Sequence, residues 1–264
     1  MKESARSHTT AYRRPLTGTG LLISWLAVLA VEPATAQQFN SDNYLSKPAG
    51  VATVILTAGQ QSTMAMTTFS LLPRWEFTFA AYIYNADKDR STDDGYSTSL
   101  YFKYMLFENA AKTGGIAFKG GTGLEPGYLS SVGLEDAFQT YWVNAPVTLP
   151  FLQNRLSWDL MPGASYTLDK GGVAEFGWAF TYSTRVAWYP FSPKLAIVGE
   201  VFGGVGEVET IPEYKAGLRY EPDQYATFAL TYGHEFNGTA GAGLQIGMML
   251  FTPPFFCISG CHGK

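Results

Sequence analysis

Apolar and polar residues alternate with a period of two along most of the chain after residue 40. In 75–85 the odd positions carry Trp, Phe, Phe, Ala and Ile, and 96–108 and 174–188 alternate in the same way. No stretch of this region holds a convincing apolar period of 3.6 residues. A period of two is typical of strands whose faces meet different environments, whereas a period near 3.6 indicates a helix. The chain is therefore predicted to be all-β.

About twelve strands are predicted from this alternation. An even number of strands, with both ends on one side, is what a closed antiparallel up-and-down barrel requires. Eight segments alternate clearly and four more weakly. The clear ones are 75–85, 96–108, 156–168, 174–188, 195–201, 214–220, 226–232 and 244–250, and the weaker ones are 50–58, 62–71, 114–124 and 136–148.

The connections between the predicted strands fall into two alternating classes. One class is short and the other is mostly longer and richer in acidic residues or glycine, except for the short first loop, 59–61. Outer-membrane barrels have short periplasmic turns and longer external loops. The order found here therefore places both termini in the periplasm. The short connections are 72–74, 108–114, 150–154, 190–193 and 221–224, and the longer ones are 85–95, 125–135, 169–172, 203–212 and 235–241.

The two faces of the strands differ in a way that favours a membrane barrel. One face is almost purely aliphatic or aromatic, and the other carries single charges of both signs among Ser, Thr, Gly and Tyr. A packed apolar core would have to desolvate these charges at several kcal/mol each, so we expect them to face a water-accessible lumen. A soluble periplasmic sandwich is the alternative. The residues predicted to line the lumen are Lys103, Lys119, Arg185, Glu200, Lys215, Arg219, Glu76 and Asp159, and Arg155 and Glu175 belong to the same charged face.

Composition agrees with a chain that is half in contact with lipid. Only 15% of the 264 residues are charged, against about 25% in soluble domains. The mean hydropathy is −0.02, far from that of a helical membrane protein. Aromatic residues near strand ends, among them Trp75, Tyr96, Trp188 and Tyr220, are predicted to form interfacial girdles.

The amino-terminal residues 1–36 have the features of a secretory signal peptide. Four basic residues precede an apolar run of 11 residues, 21–31, and a small-x-small site precedes Gln37. Such a run is too short to span a bilayer as a helix. The predicted mature chain has a periplasmic segment at 37–49, a transmembrane barrel at 50–252 and a periplasmic tail at 253–264. Its location is predicted to be the bacterial outer membrane, in contact with lipid and lipopolysaccharide.

Charge gives no indication of a nucleic-acid partner. Loss of 1–36 removes four basic and two acidic residues, which leaves 14 basic and 20 acidic residues and a net charge of about −6. Small molecules are the expected cargo, and no nucleic acid is expected to bind.

Three local groups of residues could carry chemistry. His234 lies near the outer rim, where a general base could act on a lipid ester, but no linear motif supplies a nucleophile. Four aspartates crowd 87–94, in an order that does not fit an EF-hand, so a solvated loop is the preferred interpretation.

Cys257 and Cys261 are one residue too far apart for haem attachment. A disulfide is preferred for them over free thiols or zinc, for which His262 would be a third ligand, and no metal or cofactor is predicted.

The layout of 40–256 resembles that of outer-membrane transporters grouped with the meta-pathway phenol degradation proteins. The resemblance includes the turn at 73–79 (PRWEFTF) and the ending at 247–255 (GMMLFTPPF). It implies a pore or carrier for small, aromatic or hydrophobic molecules. The predicted function is passive passage of such molecules without enzymatic activity. Two alternatives stay open, namely a lipid-modifying hydrolase that uses His234 and a structural barrel with a plugged lumen.

Overall fold

The computed structural model describes residues 41–85, 95–123, 138–168, 177–207, 210–237 and 241–256. The predicted signal peptide, the acidic loop at 87–94, Glu175, and Cys257, Cys261 and His262 lie outside these residues. Within them the chain contains strands and turns, and no helix that could cross a membrane is found there. The strands are β1 (Ala52–Gly59), β2 (Ser62–Leu72), β3 (Trp75–Tyr84), β4 (Gly95–Glu108), β5 (Gly115–Gly123), β6 (Thr140–Asn144), β7 (Val147–Phe151), β8 (Leu156–Thr167), β9 (Gly177–Ser192), β10 (Leu195–Gly206), β11 (Thr210–Asp223), β12 (Ala226–Glu235) and β13 (Gly243–Phe251).

These segments form one closed antiparallel barrel. Consecutive strands pair along the chain, and β1 pairs with β13 from Thr53 opposite Phe251 to Gly59 opposite Gln245, which closes the sheet. Both β6 and β7 lie between β5 and β8, so together they make one barrel strand. The barrel therefore has twelve strand positions, which confirms the predicted fold class.

The sixth barrel strand is interrupted by a proline. Pro146 has no amide hydrogen to give to the sheet, and β6 ends two residues before it. The ladder continues through other groups, because the Ala145 amide donates to the Pro162 carbonyl (2.9 Å) and the Ala117 amide donates to the Pro146 carbonyl (2.8 Å). The register on β5 is the same on both sides of the break. The barrel strand thus runs three residues beyond the predicted end at 148.

Burial alternates along the strands as a closed barrel requires. In β12, for example, Thr227, Ala229 and Thr231 are buried, whereas Phe228 and Leu230 are exposed. The outer wall is a nearly continuous surface of exposed aliphatic and aromatic side chains.

The predicted placement of Arg155 on the charged face is wrong. Arg155 is exposed. It is the last residue of the turn before β8, so the alternation of the strand does not determine where its side chain points.

The inward face is less uniformly polar than the alternation predicts. A buried apolar cluster covers part of it, with contributions from β1 to β4, β6 and β13. Its large members are Ile55, Met66, Tyr82, Tyr101, Trp142, Met249 and Phe251.

Candidate functional site

A row of alternating charges crosses four neighbouring strands on the inward face. Asp159 of β8, Arg185 of β9, Glu200 of β10 and Lys215 of β11 are direct cross-strand partners in that order. All four are buried, with relative exposures of 2–6%. The Arg185 Nε and Nη2 groups donate to one carboxylate oxygen of Asp159 at 3.0 and 2.7 Å. Such a row is stable inside the barrel because each charge has a partner of opposite sign next to it.

A second row has two cations side by side. Glu76 of β3, Lys103 of β4 and Lys119 of β5 are consecutive cross-strand partners, all buried. Lys103 Nζ lies 2.7 Å from Glu76 Oε2. Adjacent like charges are destabilising in a sheet unless a counter-charge is near, and here Asp42 provides one. Its Oδ2 atom is 3.4 Å from Lys103 Nζ and 3.5 Å from Lys119 Nζ.

Asp42 is ionised in this setting. Its burial alone would raise the pKa of the carboxyl group, but the charges of Lys103 and Lys119 and the hydrogen bond from the Asn43 amide outweigh burial and hold the pKa below its usual value. The carboxylate therefore acts as a fixed negative charge near the two lysines.

Asp42 belongs to a segment, 41–51, that enters the barrel ahead of β1. Ser41 is hydrogen-bonded through its amide to Glu200 and through its hydroxyl to Ser183. Glu200 is on β10, which stands five positions from β4 on the circle of twelve barrel strands. Since Ser41 contacts β10 and Asp42 contacts β4, these two residues reach across the barrel between nearly opposite walls.

The rest of this amino-terminal segment is fixed along one wall. The Tyr44 ring is 3% exposed and packs with Met105 and Ala117. Gly115 makes room for this ring, because a Cβ there would collide with it. The Lys47 amide donates to Glu76 Oε1 at 2.7 Å. The segment is thus held by several independent contacts with the inward face.

Aromatic side chains lie next to the second charge row. Lys119 Nζ is 4.6 Å from the centroid of the Tyr101 ring and 5.7 Å from that of Trp142. The two rings are themselves 5.2 Å apart. The Tyr101 hydroxyl donates to the Met66 sulfur at 3.1 Å. The Trp142 indole nitrogen is buried and has no hydrogen-bond partner among the described residues.

Arg219, at the turn end of β11, forms a separate cluster. Its Nε is 2.7 Å from Glu221 Oε1, its Nη2 donates to the Tyr189 hydroxyl, and that hydroxyl donates to Glu221 at 2.8 Å. Arg219 is buried, as are the other seven residues predicted to face the lumen. The structure brings them into three groups, the two charge rows and the Arg219 cluster.

His234 has contacts on the outer wall. It alternates with the buried Gly233 and Glu235 in β12, and its ring lies 6.2 Å from that of Tyr232. Its Nδ1 atom is 3.1 Å from the Glu235 carbonyl oxygen. The hydrolase alternative requires a serine hydroxyl in hydrogen-bond reach of His234, and none is found in the described part of the chain.

The outer wall has a groove of about 800 Å³ over β3 to β9. Gly120 and Gly121 are among its lining residues, and most of the lining is apolar or aromatic. In the described ranges no three metal-ligating side chains are grouped closely enough to hold a metal ion.

Alternation identified the wall residues of this site but could not identify Asp42, Tyr101 or Trp142 as members of it. Asp42 precedes the first strand, where no period exists, and its only signal is the polar stretch 40–43. Tyr101 lies on the charged face of its predicted strand, but contact with Lys119 depends on the register between β4 and β5.

No known family model matches this chain, and no curated protein sequence matches it significantly. Among solved structures it is similar to an outer membrane channel from Pseudomonas putida F1, at 12% identity and a TM-score of 0.51, over 79% of this chain and 98% of that one. At this identity the similarity shows the fold alone.

Two further solved structures are less similar. The NanC porin has 8% identity and a TM-score of 0.47, over 76% of this chain and 97% of its own. LpxR from Salmonella typhimurium has 11% identity and a TM-score of 0.39, over 76% of this chain and 99% of its own. Both scores are too low to support an inference about this chain.

Proposed function

We propose that the protein is a bacterial outer-membrane channel for the passive passage of small molecules. The observation that carries the proposal is the distribution of charge in a closed barrel of twelve strands. Buried charges in register line the inside, and exposed aliphatic and aromatic side chains cover the outside. A soluble barrel would have the opposite arrangement, whereas membrane barrels have an apolar outer band and a polar interior.

The size of the barrel suits small cargo. Eight-stranded barrels are filled by their own side chains, and barrels of sixteen or more strands leave a wide aqueous channel. Twelve strands with long charged side chains pointing inward leave an intermediate, narrow lumen. Charges of both signs would make its selectivity weak. The resemblance to the meta-pathway phenol degradation group favours aromatic or hydrophobic cargo.

The proposed location follows from the amino-terminal sequence together with the fold. Residues 1–36 would direct export and be removed, and the short turns and both termini would face the periplasm. Lipid and lipopolysaccharide would surround the outer wall. Amino-terminal sequencing of the protein purified from outer membranes is expected to give Gln37 as the first residue, and a chain that retains 1–36 would contradict this.

Liposome swelling tests the channel proposal. Purified protein is reconstituted into liposomes, which are then placed in isosmotic solutions of neutral solutes of increasing size, from glycerol to a disaccharide. We expect swelling with the smallest solutes and none with the disaccharide. Absence of swelling with every solute, both for the intact protein and for a variant lacking 41–47, would contradict a channel function.

A structural barrel with a plugged lumen is the second candidate, because Ser41 and Asp42 reach across the inside. The same assay separates the two functions. If the segment closes a channel, its removal makes the liposomes swell faster. If the barrel is permanently filled, its removal leaves the swelling rate unchanged.

A further inference from the structure

We propose that Lys103 and Lys119 form a binding site for the carboxylate of a small aromatic acid, and that Asp42 of the chain's own amino-terminal segment occupies this site as an internal competitor. The inference rests on the proposed channel function, to which it adds a class of cargo. Its basis is the set of contacts around the Asp42 carboxylate.

The balance of charge around Lys119 favours an anion at this site. Glu76 and Lys103 make a close pair at 2.7 Å, and Lys119 is the next residue in the same row. Lys119 is only 1% exposed, and a buried ammonium group that loses its counter-charge is costly. Because Asp42 is one of the acids that offset this charge, its withdrawal leaves a site that favours an anion.

Asp42 contacts the two lysines from a segment that precedes the barrel strands, whereas Glu76 belongs to the wall strand β3. Asp42 Oδ2 is 3.4 Å from Lys103 Nζ and 3.5 Å from Lys119 Nζ, and its Oδ1 accepts a hydrogen bond from the Asn43 amide at 2.8 Å. Charge-assisted hydrogen bonds are usually about 2.7–2.9 Å long, which is the length of the contact between Glu76 and Lys103. Of these two carboxylates, we therefore expect a ligand to displace Asp42 from the lysines.

Aromatic rings beside Lys119 indicate the class of ligand. Tyr101 and Trp142 flank Lys119, with ring centroids 4.6 and 5.7 Å from its Nζ atom. They belong to the inward apolar cluster, which also includes Met66 and Ile55. An apolar ring attached to a carboxylate could place the ring against this cluster and the charge between the lysines.

The Trp142 indole group is a further donor at the site. Its buried nitrogen has no partner among the described residues, which is uncommon for a buried polar group. A carboxylate or ring hydroxyl bound beside Lys119 could accept its hydrogen bond. The site then offers two ammonium groups, one indole N–H and an apolar surface, a combination that selects aromatic acids over both acetate and uncharged aromatics.

Isothermal titration calorimetry of the mature full-length protein in detergent tests the site, with benzoate as the probe. Acetate supplies the carboxylate without the ring, and benzyl alcohol supplies the ring without the charge. We expect benzoate to bind most tightly of the three. Asp42→Asn removes the internal competitor and should tighten benzoate binding by about tenfold or more. Asp223→Asn, the same change at the exposed last residue of β11, should leave the affinity unchanged.

Lys119→Met should abolish benzoate binding, and the heat-dependent gel shift of the barrel shows whether this variant folds. If Lys119→Met does not fold, the benzoate affinity of Asp42→Asn relative to the wild type tests the proposal by itself. Equal benzoate affinity in the wild type and Asp42→Asn, or benzoate binding no tighter than that of benzyl alcohol, would overturn the proposal. Swelling with neutral solutes but no benzoate binding rejects this site and leaves the channel function standing. Benzoate binding without swelling rejects the channel.

Discussion

At the scale of single residues, each charge of the two rows on the inside of the barrel is buried next to a charge of opposite sign. Arg185 and Asp159 show this most clearly, because two guanidinium nitrogens contact one carboxylate oxygen and both side chains are 2% exposed. Thr148 supplies a further hydrogen bond to Asp159 at 2.7 Å. Removing one member of such a pair leaves the other as an uncompensated buried charge.

Arg185→Met is therefore expected to lower the free energy of unfolding by about 3–5 kcal/mol. Urea titration in detergent micelles, followed by the heat-dependent gel shift, measures the loss. Arg155→Met is the matched control, because Arg155 is exposed in the turn that precedes β8 and should change nothing measurable. A similar loss in both variants would show that the buried pair is not the cause.

The residue scale also shows what the sequence can and cannot predict. Parity along a strand determines the face, so the period of two groups Lys103, Lys119 and Arg185 with the polar face of their strands, and all three are buried. It could not pair them, since pairing depends on register between strands. Arg155 was misplaced because parity has no meaning once a strand gives way to a turn.

At the scale of elements, the amino-terminal segment 41–51 lies inside the barrel ahead of β1. Contacts that involve side chains hold residues 41–47, whereas Gly50 and Val51 exchange backbone hydrogen bonds with Ser70 of β2 at 2.7 and 3.0 Å. The largest of the side-chain contacts is Tyr44 against Met105 and Ala117. Sequence patterns could not place this segment inside the barrel, because it carries no periodic signal and its contacts come from four or more distant strands.

Tyr44→Ala is expected to release this segment while the barrel stays closed. Loss of a buried aromatic side chain costs about 3–5 kcal/mol. Here this loss weakens the attachment of the segment to the barrel wall. We expect faster swelling of liposomes with small neutral solutes and an unchanged heat-dependent gel shift. Tyr225→Ala, at an exposed turn residue, is the control and should leave swelling at the wild-type rate. A Tyr44→Ala barrel that unfolds instead would mean that the segment is an integral part of the fold.

The broken sixth strand was predicted as a single strand. That prediction was correct for the barrel as a whole, since β6 and β7 occupy one position. The break itself follows from Pro146, whose missing amide hydrogen is visible in the sequence. The compensating bonds through Ala145 and Ala117 are not visible there, because they depend on the neighbouring strands.

At the scale of the whole molecule, low charge and a mean hydropathy near zero have one common cause. Alternate residues of the strands face outward with apolar side chains, and the others face inward, where polar and charged side chains lie beside the apolar cluster. Leu100, near the middle of β4, is 52% exposed on the outer surface, and Phe191, at the end of β9, is 84% exposed. If the outer wall is in a bilayer, these two positions lie at different depths.

Leu100→Arg should therefore destabilise the barrel in lipid vesicles by about 2–4 kcal/mol, and Phe191→Arg by about 0–1 kcal/mol. Reversible unfolding of the vesicle-inserted protein in guanidinium chloride measures both. Equal effects at the two positions would argue against a bilayer around the strands.

The single-channel conductance of the mature protein in a planar bilayer tests the channel function most directly. We expect a small conductance for the wild type, a larger one for Asp42→Asn, and the wild-type value for Asp223→Asn. We also expect benzoate added to the Asp42→Asn channel to reduce the current. Membrane insertion with no conductance in any of these proteins, or in one lacking 41–47, would contradict a channel function.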